Sequence, residues 1–331
     1  MKTLTIDIDI LYVNIWLCKP GGVRRDEEAA ACLHPQPIPS EPAMKTKAEI
    51  LKIDRRWIGA PDSRFNPTVA LFLIAGPGFA LGAFAMGTGA LPVLAGIFWQ
   101  TFCLYLSFTV LHDAMHGTAH RSKKVGNNLG RVCGLMLFTP LPLFRGVHHA
   151  HHGHTNDPER DPDLFYTSGS AWMWTLTSMA GLYFYRWHFY QKSLWRNPAE
   201  RREAITSDVL LGILLVGALA TAPSLVLAAW LVPVTLVTFW LKYTFDYLPH
   251  HPHTQQGRFY DTRISPGRIA NVLLLGQNYH LIHHLWTTVP WYRYQQVFQE
   301  VEPELRKRQC PIGWDTEALA PVTQDQVPAR P

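Results

Sequence analysis

The chain has 331 residues, 47% of them hydrophobic and only 17% charged, with a net charge of +5. That apolar excess is more than one soluble core uses and points to a membrane protein. The modest positive charge suits a surface lying on anionic lipid, and the basic residues form no long aromatic-interleaved stripe, which argues against nucleic acid as a partner.

The first 43 residues carry Asp7 and Asp9 inside an otherwise apolar start, which spoils a signal-peptide core, and continue into the Pro-rich HPQPIPSEP. Met44, Lys45 and Thr46 read as a second start. Residues 1–43 are therefore expected to be a disordered or non-native extension. They precede one domain over 44–310, and residues 311–331 read as a polar tail.

Between Phe65 and Leu111 there is no Asp, Glu, Lys or Arg, and between Val209 and Leu241 there is again none. A membrane span takes about 20 apolar residues, so each stretch reads as a helical hairpin. The second has room for two spans only if they run on into flanks such as Ile205 and Tyr247. Turns are expected at Gly87, Thr88 and Gly89 and near Pro223 and Ser224. Pro77, Pro92 and Pro233 fall inside spans, which membrane helices tolerate when neighbours satisfy the freed carbonyls. Lys45, Lys47, Lys52, Arg55 and Arg56 precede the first hairpin and Arg121, Lys123 and Lys124 follow it, whereas neither tip is charged. The positive-inside rule then puts residues 112–204, and everything after 242, on the cytoplasmic side. Cys18, Cys32, Cys103, Cys133 and Cys310 are scattered without a CxxC pair, as in a reducing compartment.

The 16 histidines gather just outside those spans. His112 and His116, at the mouth of the second helix, share a helical face at i, i+4. His148, His151 and His152 have the spacing i, i+3, i+4, and His280, His283 and His284 repeat it. His250 follows the last span, with Asp246 one turn earlier. Four separated segments thus deliver imidazole to one membrane face, and metal binding is the reading that uses them all. Nine imidazoles exceed what one four-coordinate zinc takes, and no paired ExxH motif offers a carboxylate-bridged site. Imidazole suits iron, zinc, copper and nickel, and two ions with four or five nitrogens each fit the inventory. Two redox-active irons would attack an unactivated C–H bond with oxygen, which fixed-valence zinc cannot do.

HDAMH, HHAHH and HLIHH in this order, with hairpins between, resemble the three histidine boxes of the membrane fatty acid desaturase and hydroxylase superfamily. HDAMHGTAH, HTNDPERDPD, FDYLPHHPH and GQNYHLIHHLWTTVPWYRY are similar to the desaturase-like bacterial beta-carotene hydroxylases, with carotenoid ketolases as near relatives. The resemblance spans about residues 65–300. It implies an all-α membrane fold of four transmembrane helices with a cytoplasmic helical cap, and a non-haem di-iron enzyme of the bacterial inner membrane that hydroxylates the beta-ionone ring with O2. Electrons would come from a ferredoxin-type partner and its reductase, and the substrate from lipid. It assigns His112 and His116 to box one, His148, His151 and His152 to box two, His280, His283 and His284 to box three, and His250 as the extra ligand. Asp246 stands where such desaturases carry an Asn or similar residue bound to the metal through water.

A ligating imidazole donates its other N–H to a carboxylate or carbonyl, so Asp113, Asp157, Asp161, Asp163 and Asn278 are candidates for supporting roles. His120, His149, His154, His251 and His253 exceed the box pattern and read as exposed or supporting side chains. Trp286, Trp291, Tyr292 and Tyr294 suit either a lipid interface or the wall of a polyene channel. Two alternatives stay open: an acyl-chain desaturase or hydroxylase or a ring ketolase with the same boxes, and a non-enzymatic metal transporter or store. A transporter would place its polar ligands inside the spans, where this chain has essentially none.

Overall fold

Pro67 at the first helical position and Asn66 before it start the first span: the Asn66 side chain accepts from the Val69 N–H at 3.0 Å and fills one of the orphan donors. The computed structural model describes residues 51–164 and 171–314, and these are helical apart from their connections, with one isolated bridge. Helices α1 (Pro67–Gly87) and α2 (Val93–His116) form the first hairpin, turning through Gly89 at φ +76°. Helices α6 (Pro198–Thr221) and α7 (Pro223–His250) form the second, turning at Ala222. All four are long and apolar enough to cross a membrane. Both turns fall where the sequence places them, and the second pair does recruit its flanks, α6 beginning 11 residues before Val209.

Large apolar side chains such as Leu73, Leu81, Phe84, Phe98, Ile213 and Val216 are exposed along these spans, a surface that suits hydrocarbon and not water. The inner faces close through small residues. A Cβ on Gly82 would lie 2.6 Å from the Trp99 ring, and one on Gly78 3.0 Å from it. Trp99 is held there by its indole N–H, which donates to the Gly78 carbonyl at 2.8 Å, and Gln100 beside it donates to the Phe79 carbonyl at 3.0 Å.

Gly117 at φ +76° ends α2 in a left-handed cap. Helix α3 (Lys123–Met136) then packs its small face, Gly126, Gly130, Cys133 and Gly134, back toward α2; a Cβ on Gly130 would sit 2.6 Å from that of Ala114. Helix α4 (Leu141–His154) carries box two and α5 (Ala171–Gln191) follows. In its second half Arg186 pairs with Asp208 of α6 at 3.0 Å and donates to the Phe138 carbonyl at 2.6 Å. Short helices α8 (Arg268–Leu273) and α9 (His280–Leu285) and the amphipathic α10 (Tyr294–Lys307) complete the cap.

Residues 311–314 belong to the packed chain and not to a free tail. Ile264 pairs in parallel with Ile312, accepting from Gly313 N–H at 2.8 Å and donating to the Pro311 carbonyl at 2.9 Å. The expected extension over 1–43 and the rest of the expected tail lie outside the described residues. Cys103, Cys133 and Cys310 are free and buried.

Overpacking a close helix contact costs about 1–3 kcal/mol. Gly82→Leu should therefore lower the thermal midpoint of the detergent-solubilised protein. Gly212→Leu, at a position with open space around the Cβ, should leave it within error, and equal effects would contradict the packing.

Candidate metal centre

Box one ends the long helix α2, while box two and box three sit on shorter helices, and all three are largely buried. His112 and His116 occupy the last turns of α2, His148, His151 and His152 one face of α4, His250 the last position of α7, and His280, His283 and His284 the helix α9. The helix α4 is pinned just ahead of its histidines by Arg145. This guanidinium is buried, pairs with Glu200 of α6 at 3.0 Å, and donates to Asn127 of α3 at 3.0 Å.

The nine rings converge into two groups. His112, His116, His148 and His283 each bring one nitrogen within 4.8 Å of the others, and His151, His250, His280 and His284 do the same. His152 stands between them, with Nε2 3.1 Å from that of His148 and its ring centroid 4.3 Å from that of His284.

Hydrogen-bond chemistry shows which way the lone pairs face. A carbonyl only accepts, so His250, whose Nδ1 lies 3.1 Å from the Asp261 carbonyl, and His280, whose Nδ1 lies 3.0 Å from Gln277 Oε1, carry their proton on Nδ1. His151 Nδ1 faces Asp161 Oδ1 at 2.9 Å and Asp163 Oδ2 at 3.3 Å, and His283 Nδ1 meets the Tyr294 hydroxyl at 2.9 Å. Inside the cluster, Nε2 of His112 lies 3.1 Å from Nε2 of both His148 and His283. The Nε2 atoms of His116, His250 and His284 are buried without a partner.

Burial, with the neighbouring rings, pushes the imidazoles of His148, His152, His283 and His284 well below 6.5, so they are neutral at pH 7. Burial also acts to lower His151, but Asp161 and Asp163 outweigh it and raise that group to about 10. It therefore carries a proton that a bound cation would displace. The buried Nε2 atoms of His116, in one group, and of His250 and His284, in the other, have no partner, and a divalent cation in each group would satisfy them. The residues present fit two metal ions.

The supporting residues differ in part from those expected. Asp161 orients His151, and its own oxygens accept from Asn156 N–H at 2.7 Å and Asp163 N–H at 2.9 Å. Asp157 instead caps its own turn and pairs with Arg160 at 2.5 Å. Asn278 donates to the Ser265 carbonyl at 2.9 Å and ties a loop, while the adjacent Gln277 reaches His280. Asp113 accepts from Thr68 at 2.6 Å, and Trp291 donates to that same hydroxyl at 3.1 Å, so Asp113 joins α1 to α2 and to the chain after box three. Asp246 faces the cluster, lining a cavity together with His148, His151 and His280. Tyr294 was legible only as an aromatic after box three, because nothing in its spacing marks a hydroxyl aimed at His283. Of the extra histidines, His120 accepts from the Ser122 N–H at 2.9 Å, and His253 stacks on His250 at 6.2 Å.

That cavity is also lined by Phe108, Leu137, Phe144, Leu182, Leu241 and Phe245. Phe108 stands edge-on to Phe144 and Phe245, with centroids 5.5 and 4.7 Å away. An apolar compartment thus abuts both nitrogen groups, through His148 on one and His151 and His280 on the other.

If these nitrogens hold metal, removing a supporting carboxylate should cost about 10- to 100-fold in affinity. Asp161→Ala and His151→Ala are expected to lose metal on purification, and Asp157→Ala and His154→Ala to keep it. Elemental analysis per chain decides this, and equal loss in both pairs would refute the arrangement.

The sequence model of the family described as fatty acid desaturase matches residues 83–316, more than two thirds of the chain. Among curated proteins the chain is 28% identical over 207 residues to the zeaxanthin 4-ketolase of Chlamydomonas reinhardtii, covering 60% of this chain and 43% of that protein. It is 27% identical over 218 residues to a beta-carotene ketolase of Haematococcus lacustris, covering 62% of each. It is 23% identical over 253 residues to an endoplasmic-reticulum omega-3 fatty acid desaturase of Vigna radiata var. radiata, covering 65% of this chain and 64% of the other. The chain thus spans between 43% and 64% of the length of these three relatives. With box one, box two and box three inside the matched range and their nitrogens gathered at the mouths of four apolar helices, the chain belongs to the fatty acid desaturase family, a membrane oxidoreductase family.

Proposed function

We propose that the chain is a non-haem di-iron oxygenase that oxidises a ring carbon of a carotenoid, hydroxylating it first and carrying the alcohol to a ketone on a further turnover. The observation that carries this reading is the apolar cavity abutting both histidine groups, taken with relatives whose names specify carotenoid ring ketolation. His112, His116, His148 and His283 would hold one ion, His151, His250, His280 and His284 the other, and His152 would lie between them. Irons bound there would supply oxygen activation and the power to oxidise an unactivated C–H bond. In balance, the carbon takes one oxygen atom and the other leaves as water, consuming two electrons and two protons.

The chain's own part is positioning and exclusion. Phe108, Phe144 and Phe245 keep the compartment dry and hold a hydrocarbon by contact alone, so the reacting carbon is chosen by where the walls place it. Asp161, Gln277, the Asp261 carbonyl and Tyr294 fix the rings from outside. A ferredoxin-type donor with its reductase would supply the electrons. The positive charge flanking the first hairpin supports a cytoplasmic position for the histidine groups. A second reading, acyl-chain desaturation, is favoured by the omega-3 desaturase relative.

Expression in a beta-carotene-producing bacterium should give pigments with added hydroxyl or keto groups on chromatography. Unchanged pigment beside newly unsaturated acyl chains would replace this reading by the second. For orientation, Thr88→Cys should react with an impermeant maleimide on intact cells and Lys124→Cys only after permeabilisation. The reverse pattern would invert the topology.

A further inference from the structure

Helix α8 (Arg268–Leu273) has no buried residue, and its Ile269, Val272 and Leu273 are exposed by 77, 71 and 63%. At spacing i, i+3, i+4 these three share one face. A helix this short does not hold its shape in water by its own hydrogen bonds and is ordinarily kept by packing an apolar face. Here that face is turned out of the protein. The helix is nevertheless fixed against the two spans that end in His116 and His250. The Tyr105 hydroxyl of α2 donates to the Leu273 carbonyl at 2.7 Å, and Leu274, the next residue, lines a small cavity with Thr244 and Leu248 of α7. Tyr105 stands about three turns before His116, so the carbonyl it holds lies on the membrane side of the nitrogen groups. Just ahead of α8, the Pro266 carbonyl accepts from the indole N–H of the exposed Trp314 at 3.1 Å.

We propose that α8 lies in the bilayer leaflet at the histidine end of the spans, with Ile269, Val272 and Leu273 among the acyl chains and Arg268 at the headgroups. Lipid is the occupant that continues what is already there, because Tyr105 ties α8 to a helix whose own outward side chains, Phe98 and Phe102 among them, are exposed and apolar. In water the same three side chains would form an apolar patch with nothing to cover it. Trp240 and Tyr243 of α7 and Trp314 are exposed as well, and such aromatics mark the headgroup level. The exposed Arg268 at the start of α8 suits an anionic headgroup. The contact reaches toward the metal centre through one turn. The Gly276 N–H donates to the Asn271 carbonyl at 2.9 Å and the Gln277 N–H to that of Leu274 at 3.0 Å, and Gln277 is the residue that meets His280. The proposal is independent of which lipophile is oxidised.

The test photolabels the full metal-loaded chain in nanodiscs of phosphatidylcholine and phosphatidylglycerol, part of the phosphatidylcholine carrying a diazirine on its acyl chain. Mass spectrometry then maps the labelled residues, and the wild type serves, so nothing depends on a variant folding. Ile269, Val272 and Leu273 are expected to be labelled as Leu81 of α1 is, and Lys307, on the polar face of α10, to stay at background. Label confined to the four spans would overturn the proposal. A second measurement identifies any other cover. Ile269→Cys and Val272→Cys, each with Cys18→Ser and Cys32→Ser and with Cys103, Cys133 and Cys310 buried, carry a fluorophore in the same nanodiscs. The expected result is loss of fluorescence to a lipid with a nitroxide on its acyl chain and none to aqueous iodide. Quenching by iodide alone would put α8 in water, and protection from both quenchers would put it under protein, a second copy included. Either result would overturn the proposal.

Discussion

The structure depends on one electrostatic constraint: nine imidazoles are packed with ring nitrogens as close as 3.1 Å. Such a cluster is tolerable only if the rings are mostly neutral and have their lone pairs turned to common points. Burial supplies the neutrality, and outward hydrogen bonds to Asp161, the Asp261 carbonyl and Gln277 supply the orientation. The elements that seem peripheral are thus the ones that hold the centre together. The turn over Asn156 to Asp163 exists to aim one carboxylate, since Asp161 accepts from two backbone N–H groups of that turn while it meets His151.

The bilayer imposes the second constraint. Backbone groups in hydrocarbon have to be satisfied within the helix, so ligands reach a common site only from helix ends and from the cap between them. Two hairpins bring four ends together, and the ends of α2 and α7 bear His116 and His250 as their last helical residues. Box two and box three come from cap helices, which have no lipid to face and are fixed instead by polar bonds. The Arg145–Glu200 pair joins α4 to α6, and Asp113, through Thr68, reaches Trp291 beyond box three. These buried charges and hydroxyls act as joints between membrane helices and cap.

Much of this was legible in the sequence because it depends on spacing. Charge-free runs gave both hairpins, and i, i+3, i+4 histidines gave the inward faces of α4 and α9. What spacing could not resolve was the choice between adjacent residues of like chemistry. Asp157 and Asp161 share a Pro-rich acidic run, and only the turn decides that Asp161 points inward while Asp157 takes Arg160. Gln277 and Asn278 are neighbouring amides, and the 3-10 turn over Gln277–Tyr279 sends one to His280 and the other to Ser265. Tyr294 is 11 residues from His283 in sequence, with no periodicity linking them. Local pattern fixes which face of a helix is used, whereas loop geometry fixes which single atom arrives.

The last span shows how the two levels meet. Thr238, Lys242, Asp246 and His250 recur every four residues, and the first three line the same cavity while His250 joins a nitrogen group. On a regular α-helix of 3.6 residues per turn, a step of four drifts about 40° around the axis, so three such steps would swing the row by about a third of a turn. Helix α7 is not regular there: Lys242–Tyr247 form a π-helical turn. The wider turn takes up the drift, as such local widenings do at functional sites. It keeps lysine, carboxylate and imidazole turned inward, the first two to the cavity and the third to its nitrogen group, where a uniform helix would rotate one end of the row away. The charge-free span can therefore end in three polar groups that all face inward, and the depth at which apolar contact gives way to hydrogen bonding is set by a defect in the helix.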